Sequence, residues 1–173
     1  MSFMDRRYER YIMKKQNKFN LPIFISTFFY AGFFPYAPGT AGSIAGFIIY
    51  AALLRLLNPY EYIVICLVIF AAGAYYSSKA EKLIGVKDPP SVVIDEVLGY
   101  FITMTGGFWA PFSFVYALAG LGLFRFFDIL KPFPVRYIDK KIAGGLGIML
   151  DDVAAGIFSA VILRVIILLI AAV

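Results

Sequence analysis

An all-α polytopic membrane helix bundle is the fold class this sequence predicts, and three observations predict it. Of 173 residues, 61% are hydrophobic and 18% aromatic, more apolar surface than a soluble core of that size can hide, so the bilayer must act as solvent for part of it. Apolar runs that approach the ~20 residues a helix needs to cross the hydrocarbon recur along the chain. Lys and Arg fall on alternate connections, the asymmetry that orients membrane helices. Together these predict about five spans, plus a short interfacial or re-entrant helix, within a single membrane-embedded domain over residues 21–173.

The elements follow in order. Residues 1–20 read as a basic cytoplasmic segment, with Arg6, Arg7, Arg10, Lys14, Lys15 and Lys18 set against Asp5 and Glu9. Beside a membrane domain its partner is the anionic membrane surface, worth ~1 kcal/mol per basic residue, and not nucleic acid. No apolar run of ~7–15 residues with a small-residue cleavage site follows it, so it is not a signal peptide. Leu21–Phe34 is apolar, shorter than a span and closed by Pro35, and is taken as the interfacial or re-entrant helix. Ile44–Leu57 reaches span length if its helix starts near Thr40. Tyr62–Ser77 carries Tyr62, Tyr75 and Tyr76 where interfacial anchors belong. Val97–Phe108 is long enough only if Val92–Ile94 join it, which puts Asp95 and Glu96 inside a helix end. Phe112–Phe127 and Val153–Val173 complete the set.

The N-terminal segment, the stretch with Lys79, Lys82 and Lys87, and the stretch with Arg125, Lys131, Arg136, Lys140 and Lys141 are basic. The intervening connections, Asn58–Glu61 and Gly106–Pro111, carry no Lys or Arg, and Arg55, near the end of the first span, is the nearest exception. A cytoplasmic N-terminus satisfies this pattern and places the acidic motif loops on the cytoplasmic face. Arg164, near the middle of the last span, must face the bundle interior or snorkel.

Residue types also exclude chemistry. With no histidine, His bases, nucleophiles and metal ligands are absent. The single cysteine, Cys66, forms no intrachain disulfide and reads as a small buried hydrophobe. What remains is carboxylates, Lys, Arg, hydroxyls or a bound metal. Seven of the eleven acids lie in three blocks, Asp88 to Glu96, Arg125 to Lys131, and Asp139 to Asp152. Carboxylates at the mouth of a membrane bundle are expensive and mark ion, proton or phosphate sites.

Each block suits a part of such a site. Pro35 to Ser43 is glycine-rich backbone entering a helix, with free N–H groups and the hydroxyls of Thr40 and Ser43 to meet an anion. Asp95 and Glu96 are adjacent acids in a partly dry setting, and their repulsion calls for a cation. Mg²⁺ is a suitable one, since it prefers hard oxygen ligands and keeps waters. Arg125 and Asp128 share a helix face. Lys131 precedes Pro132, so its helix should end there. A flexible glycine stretch, Gly144 to Gly147, leads to a second acid pair, Asp151 and Asp152. Two such pairs on one predicted face suggest a carboxylate metal cage.

These blocks together resemble the phosphatidylglycerophosphatase A family. The matching stretches are Pro35 to Ser43, Asp88-Pro-Pro-Ser-Val-Val-Ile-Asp-Glu-Val-Leu-Gly99, and Phe124-Arg-Phe-Phe-Asp-Ile-Leu-Lys-Pro-Phe-Pro134 running on to Gly156. One mild departure is Phe133, where the family pattern has Trp. The resemblance implies a Mg²⁺-dependent hydrolase of phospholipid biosynthesis in the bacterial cytoplasmic membrane. It would remove the terminal phosphate of phosphatidylglycerophosphate, a substrate held in the bilayer, to give phosphatidylglycerol. Asp95, Glu96, Asp128, Asp151 and Asp152 would be catalytic and hold the metal. Thr40, Ser43, Arg125, Lys131 and Arg136 would bind substrate. Direct attack by water is favoured over a phospho-aspartate. A CDP-alcohol phosphotransferase is the enzymatic rival, but its spaced acidic pattern is missing. A small cation or proton transporter is the other, but its acids would sit near the midplane rather than at span ends.

Overall fold

In the computed structural model, residues 19–108 and 110–172 are described. The basic residues before Phe19 lie outside them, as does the Lys140 side chain. Every regular element among the described residues is helical.

The first apolar stretch departs from expectation. Leu21–Phe34 is not one helix. A six-residue helix, α1 (Leu21–Ser26), is capped by the Asn20 side chain and ends where Thr27 turns its hydroxyl back to the Ile23 carbonyl, at 2.7 Å. Phe28, Phe29 and Tyr30 then all take positive φ, 47°, 55° and 69°, before a single 3-10 turn at Ala31–Phe33. Such a backbone is costly for aromatic residues and needs tertiary compensation. Phe24 packs edge-on against Phe29, ring centroids 4.9 Å apart, and the Ser26 carbonyl accepts the Val93 N–H at 2.9 Å. The segment is thus folded back onto the chain just ahead of the acid pair.

Among the described residues, three helical stretches are long and apolar enough to cross a membrane. One is α2 (Pro38–Ala52) with its 3-10 extension to Leu56, 19 residues in all. It starts at Pro38, a residue suited to a first helical turn, slightly before the expected Thr40. The second is α3 (Pro59–Ile84), 26 residues, begun by a capping box between Asn58 and Glu61 and stopped by Gly85 at φ 75°. The third is the last helix, Gly144–Ala171, 28 residues. Here the glycine stretch is helical rather than flexible. Gly145 lies against the Ala74 carbonyl and Ser78 of α3, and its N–H donates to Ser78 Oγ at 2.8 Å. Packing, not propensity, makes this helical end, and it carries Asp151 and Asp152 inside the helix.

Between these run α4 (Ile94–Met104), 11 residues, and α5 (Phe114–Leu130), 17 residues. A short helix, α6 (Val135–Lys141), follows a cis Phe133–Pro134 bond and precedes the last helix, α7 (Gly144–Ala171). Helix α4 is the axis of the bundle. All its residues are buried except Glu96 and Ile102, which are half-buried. Its neighbours supply the exposed apolar surface instead, through Leu67 and Val68 on α3, Val115 and Leu118 on α5, and Val161 and Leu169 on α7. Two buried tyrosine hydroxyls inside the bundle are satisfied, as a water-poor setting favours, whereas Ser77 Oγ is buried with no hydrogen-bond partner among the described residues. Tyr62 donates to the Phe101 carbonyl at 2.7 Å and Tyr100 to the Ala117 carbonyl at 3.1 Å.

The α4–α7 crossing sets the site. Gly99 and Gly156 let the two backbones touch, since a Cβ on Gly156 would lie 2.5 Å from the Gly99 carbonyl oxygen. Asp95 and Glu96 lie one turn before Gly99, and Asp152 lies one turn before Gly156. Close approach of the helices therefore brings the acids together.

Candidate active site

Each acid pair enters from a different helix. Asp95 and Glu96 occupy the first turn of α4, and Asp151 and Asp152 stand two turns into α7. Asp95 is 8% exposed, Asp151 6% and Asp152 3%. Asp95, Glu96 and Asp152 each offer a carboxylate oxygen, all within 4.8 Å of one another. Asp95 Oδ1, Glu96 Oε2, Asp151 Oδ1 and Asp152 Oδ2 are buried without a hydrogen-bond partner among the described residues. Orphaned carboxylate oxygens in a dry pocket are costly, and hard oxygen donors so grouped fit a divalent cation of the Mg²⁺ kind.

Cationic side chains flank this group. Arg125 Nη1 meets Asp128 Oδ2 at 2.6 Å across one helical turn and donates to Ser43 Oγ at 3.4 Å. Asp128 in turn lies close enough to Asp152 for the two carboxylates to repel each other. Lys131 ends α5 in the left-handed conformation, φ 44°. Its ammonium is 2.6 Å from Asp151 Oδ2 and 2.9 Å from Asp139 Oδ1. Burial works against this ammonium, but its hydrogen bonds and charge interactions with Asp151 and Asp139 outweigh that and hold its pKa above the usual lysine range.

The first turn of α2 closes the group from above. A Cβ at position 39 would collide with Glu96 Oε1 and stand 3.2 Å from Arg125 Nη1, so Gly39 is what allows Glu96 and Arg125 to pass. Ser43 is buried, and besides receiving Arg125 it donates to the Gly39 carbonyl at 2.9 Å. Thr40 is half-buried in the same turn, and Arg136 lies exposed on α6. Among the described residues neither is joined to the acids by a hydrogen bond or ion pair.

Two participants had no role in the reading of the sequence. Asp139 belonged to the third acidic block, but nothing in its spacing showed that it grips Lys131 across the Pro132–Pro134 turn. Gly39 read only as part of an anion-binding loop. Its steric signal depends on Glu96, a residue 57 positions away.

The sequence profile of the phosphatidylglycerophosphatase A family matches residues 24–167. The chain belongs to this family. Among relatives of this family member, the Haemophilus influenzae phosphatidylglycerophosphatase A is 40% identical over 150 residues, covering 87% of this chain and 91% of that protein. The Escherichia coli phosphatidylglycerophosphatase A is 34% identical over 151 residues, covering 87% and 84% respectively. A Bacteroides thetaiotaomicron protein named putative phosphatidylinositol-3-phosphatase is 39% identical over 150 residues, covering 84% and 92%. No solved structure matches the chain.

Proposed function

We propose that this protein hydrolyses the terminal phosphate of phosphatidylglycerophosphate to phosphatidylglycerol and inorganic phosphate. It does so in the bacterial cytoplasmic membrane, with its acidic loops facing the cytoplasm and about five membrane crossings, α5 and the shorter, protein-sheathed α4 joining the three long helices. The observation that carries the reading is the buried Asp95, Glu96 and Asp152 group, with orphaned oxygens, in a chain of the phosphatidylglycerophosphatase A family.

The residues divide the work. Asp95, Glu96 and Asp152 would hold Mg²⁺, with Asp151 and Asp128 beside them. When bound, the ion supplies a water of lowered pKa and neutralises charge on phosphoryl oxygens. Arg125 is oriented by Asp128 and Ser43, which leaves the rest of its planar fork to bind phosphoryl oxygens. Lys131 adds a point charge on the opposite flank. The first turn of α2, with Thr40, offers N–H and hydroxyl donors, and Arg136 and Lys141 draw the anionic headgroup toward the mouth. Asp128 orients the water whose oxygen forms the new bond to phosphorus as the bond to the glycerol oxygen breaks. Acyl chains stay in the bilayer along the apolar flanks of α5 and α7.

The test is phosphate release by the purified chain from phosphatidylglycerophosphate, with Mg²⁺ and with EDTA. Phosphatidylinositol 3-phosphate belongs in the same assay, because a relative as similar as the others carries that activity in its name. Mg²⁺-dependent release from phosphatidylglycerophosphate is expected. No release from it under either condition refutes the proposal, and faster release from the inositol lipid reassigns the headgroup.

A further inference from the structure

The carboxylates at this site are unequally provided with cations. Asp128 has Arg125 at 2.6 Å. Asp151 and Asp139 share Lys131, at 2.6 and 2.9 Å. Asp95, Glu96 and Asp152 have none of these partners, and they are the group whose oxygens gather within 4.8 Å. Two neighbouring acid pairs invite a two-ion reading of the kind used in many phosphoryl-transfer sites. The contacts of Lys131 argue against it.

We infer that the site takes one divalent ion per chain, at Asp95, Glu96 and Asp152, and that the Lys131 ammonium fills the place of a second ion between Asp139 and Asp151. This rests on the metal-dependent reading given above and specifies its ion count. Three features fix the ammonium there. The left-handed backbone at Lys131 ends α5, with its N–H returned to the Phe127 carbonyl at 2.9 Å. The turn through Pro132 and Pro134 sets α6 so that Asp139 reaches back across it. Asp151 is 6% exposed, two turns into α7. A divalent ion bound by Asp151 would stand beside this ammonium in a poorly screened pocket, where like charges repel strongly. Asp139 is therefore a positioning residue, acting on the site through Lys131.

Mn²⁺ titration of the full chain in detergent micelles, followed by electron paramagnetic resonance, tests this without relying on turnover. Wild type should bind one Mn²⁺ per chain with an uncoupled spectrum. Lys131→Met should bind two, with the added ion lost again in Lys131→Met/Asp139→Asn, and Lys131→Arg should return the count to one. Two ions per wild-type chain, or a spin-coupled pair, overturns the inference even if Lys131→Met fails to fold. A folded Lys131→Met that still binds one also overturns it. Phosphate release measured in parallel separates the two readings. One Mn²⁺ without release sinks the proposed reaction and upholds the ion count, whereas release with two ions does the reverse.

Discussion

Replacing Gly39 by alanine should separate activity from stability. The added Cβ would stand 3.3 Å from Glu96 Cδ and 3.2 Å from Arg125 Nη1, and would overlap Glu96 Oε1 outright. The obstructing atoms are the far ends of flexible side chains, so the fold yields cheaply while the carboxylate retreats. Recovering ordinary contact, about 3.5 Å between heavy atoms, moves the Glu96 oxygen by about 1 Å. A displacement of ~1 Å in a reacting geometry costs ~10²-fold in rate. Position 39 lies in the first turn of α2 without a positive φ, so alanine should not strain the backbone and gains up to ~1 kcal/mol of helix propensity. The assay is Mg²⁺-dependent phosphate release alongside thermal unfolding of the same preparation. A rate down ~10²-fold with an unchanged or higher Tm is expected. A variant within about threefold of wild type, under ~1 kcal/mol of lost transition-state binding, would refute the placement of Glu96 beside the α2 terminus.

Other predictions follow the same geometry. Asp95→Asn should lower the phosphatase rate by ~10²-fold or more, since a charged ligand to the ion that neutralises phosphoryl charge is lost, and activity within a few-fold of wild type would contradict its role. Arg125→Lys should raise KM more than it lowers kcat, because a lysine cannot keep both the Asp128 contact and a planar grip on phosphate; steady-state kinetics on the lipid substrate check this. Gly156→Ala should destabilise by ~1–3 kcal/mol, because its Cβ meets backbone rather than flexible side chain, and denaturant unfolding would register the loss. Tyr62→Phe should cost about 1–2 kcal/mol of stability for the orphaned Phe101 carbonyl while leaving kcat unchanged, a control for remote damage.

Much of the site could be read where neighbours are close in sequence. The Arg125–Asp128 pair follows from helical periodicity, and Asp95 and Glu96 follow from an apolar run that needs Val92–Ile94 to reach any length. The end of α5 at Lys131 follows from Pro132. What resisted was geometry supplied by distant partners. The break in Leu21–Phe34 depends on the distant Val93 N–H, which donates to the Ser26 carbonyl. The helical start at Gly144 depends on Ser78, since glycine propensity argues the other way. The grip of Asp139 on Lys131 depends on a turn whose direction no periodicity encodes. The extent of α4 was hardest to read, because its 11 residues are sheathed by neighbouring helices and fall short of the length a lipid-exposed helix needs.

The meeting of Gly99 with Gly156 also acts as a ruler. Glu96 stands three positions ahead of one glycine and Asp152 four ahead of the other, so the acid positions are measured from the point where the two backbones touch. Inserting a single residue into either interval would swing an acid by ~100° and shift it by ~1.5 Å along its axis, out of the cluster, with composition and charge intact. The intervals between acid and glycine are thus as much a part of this centre as the acids themselves.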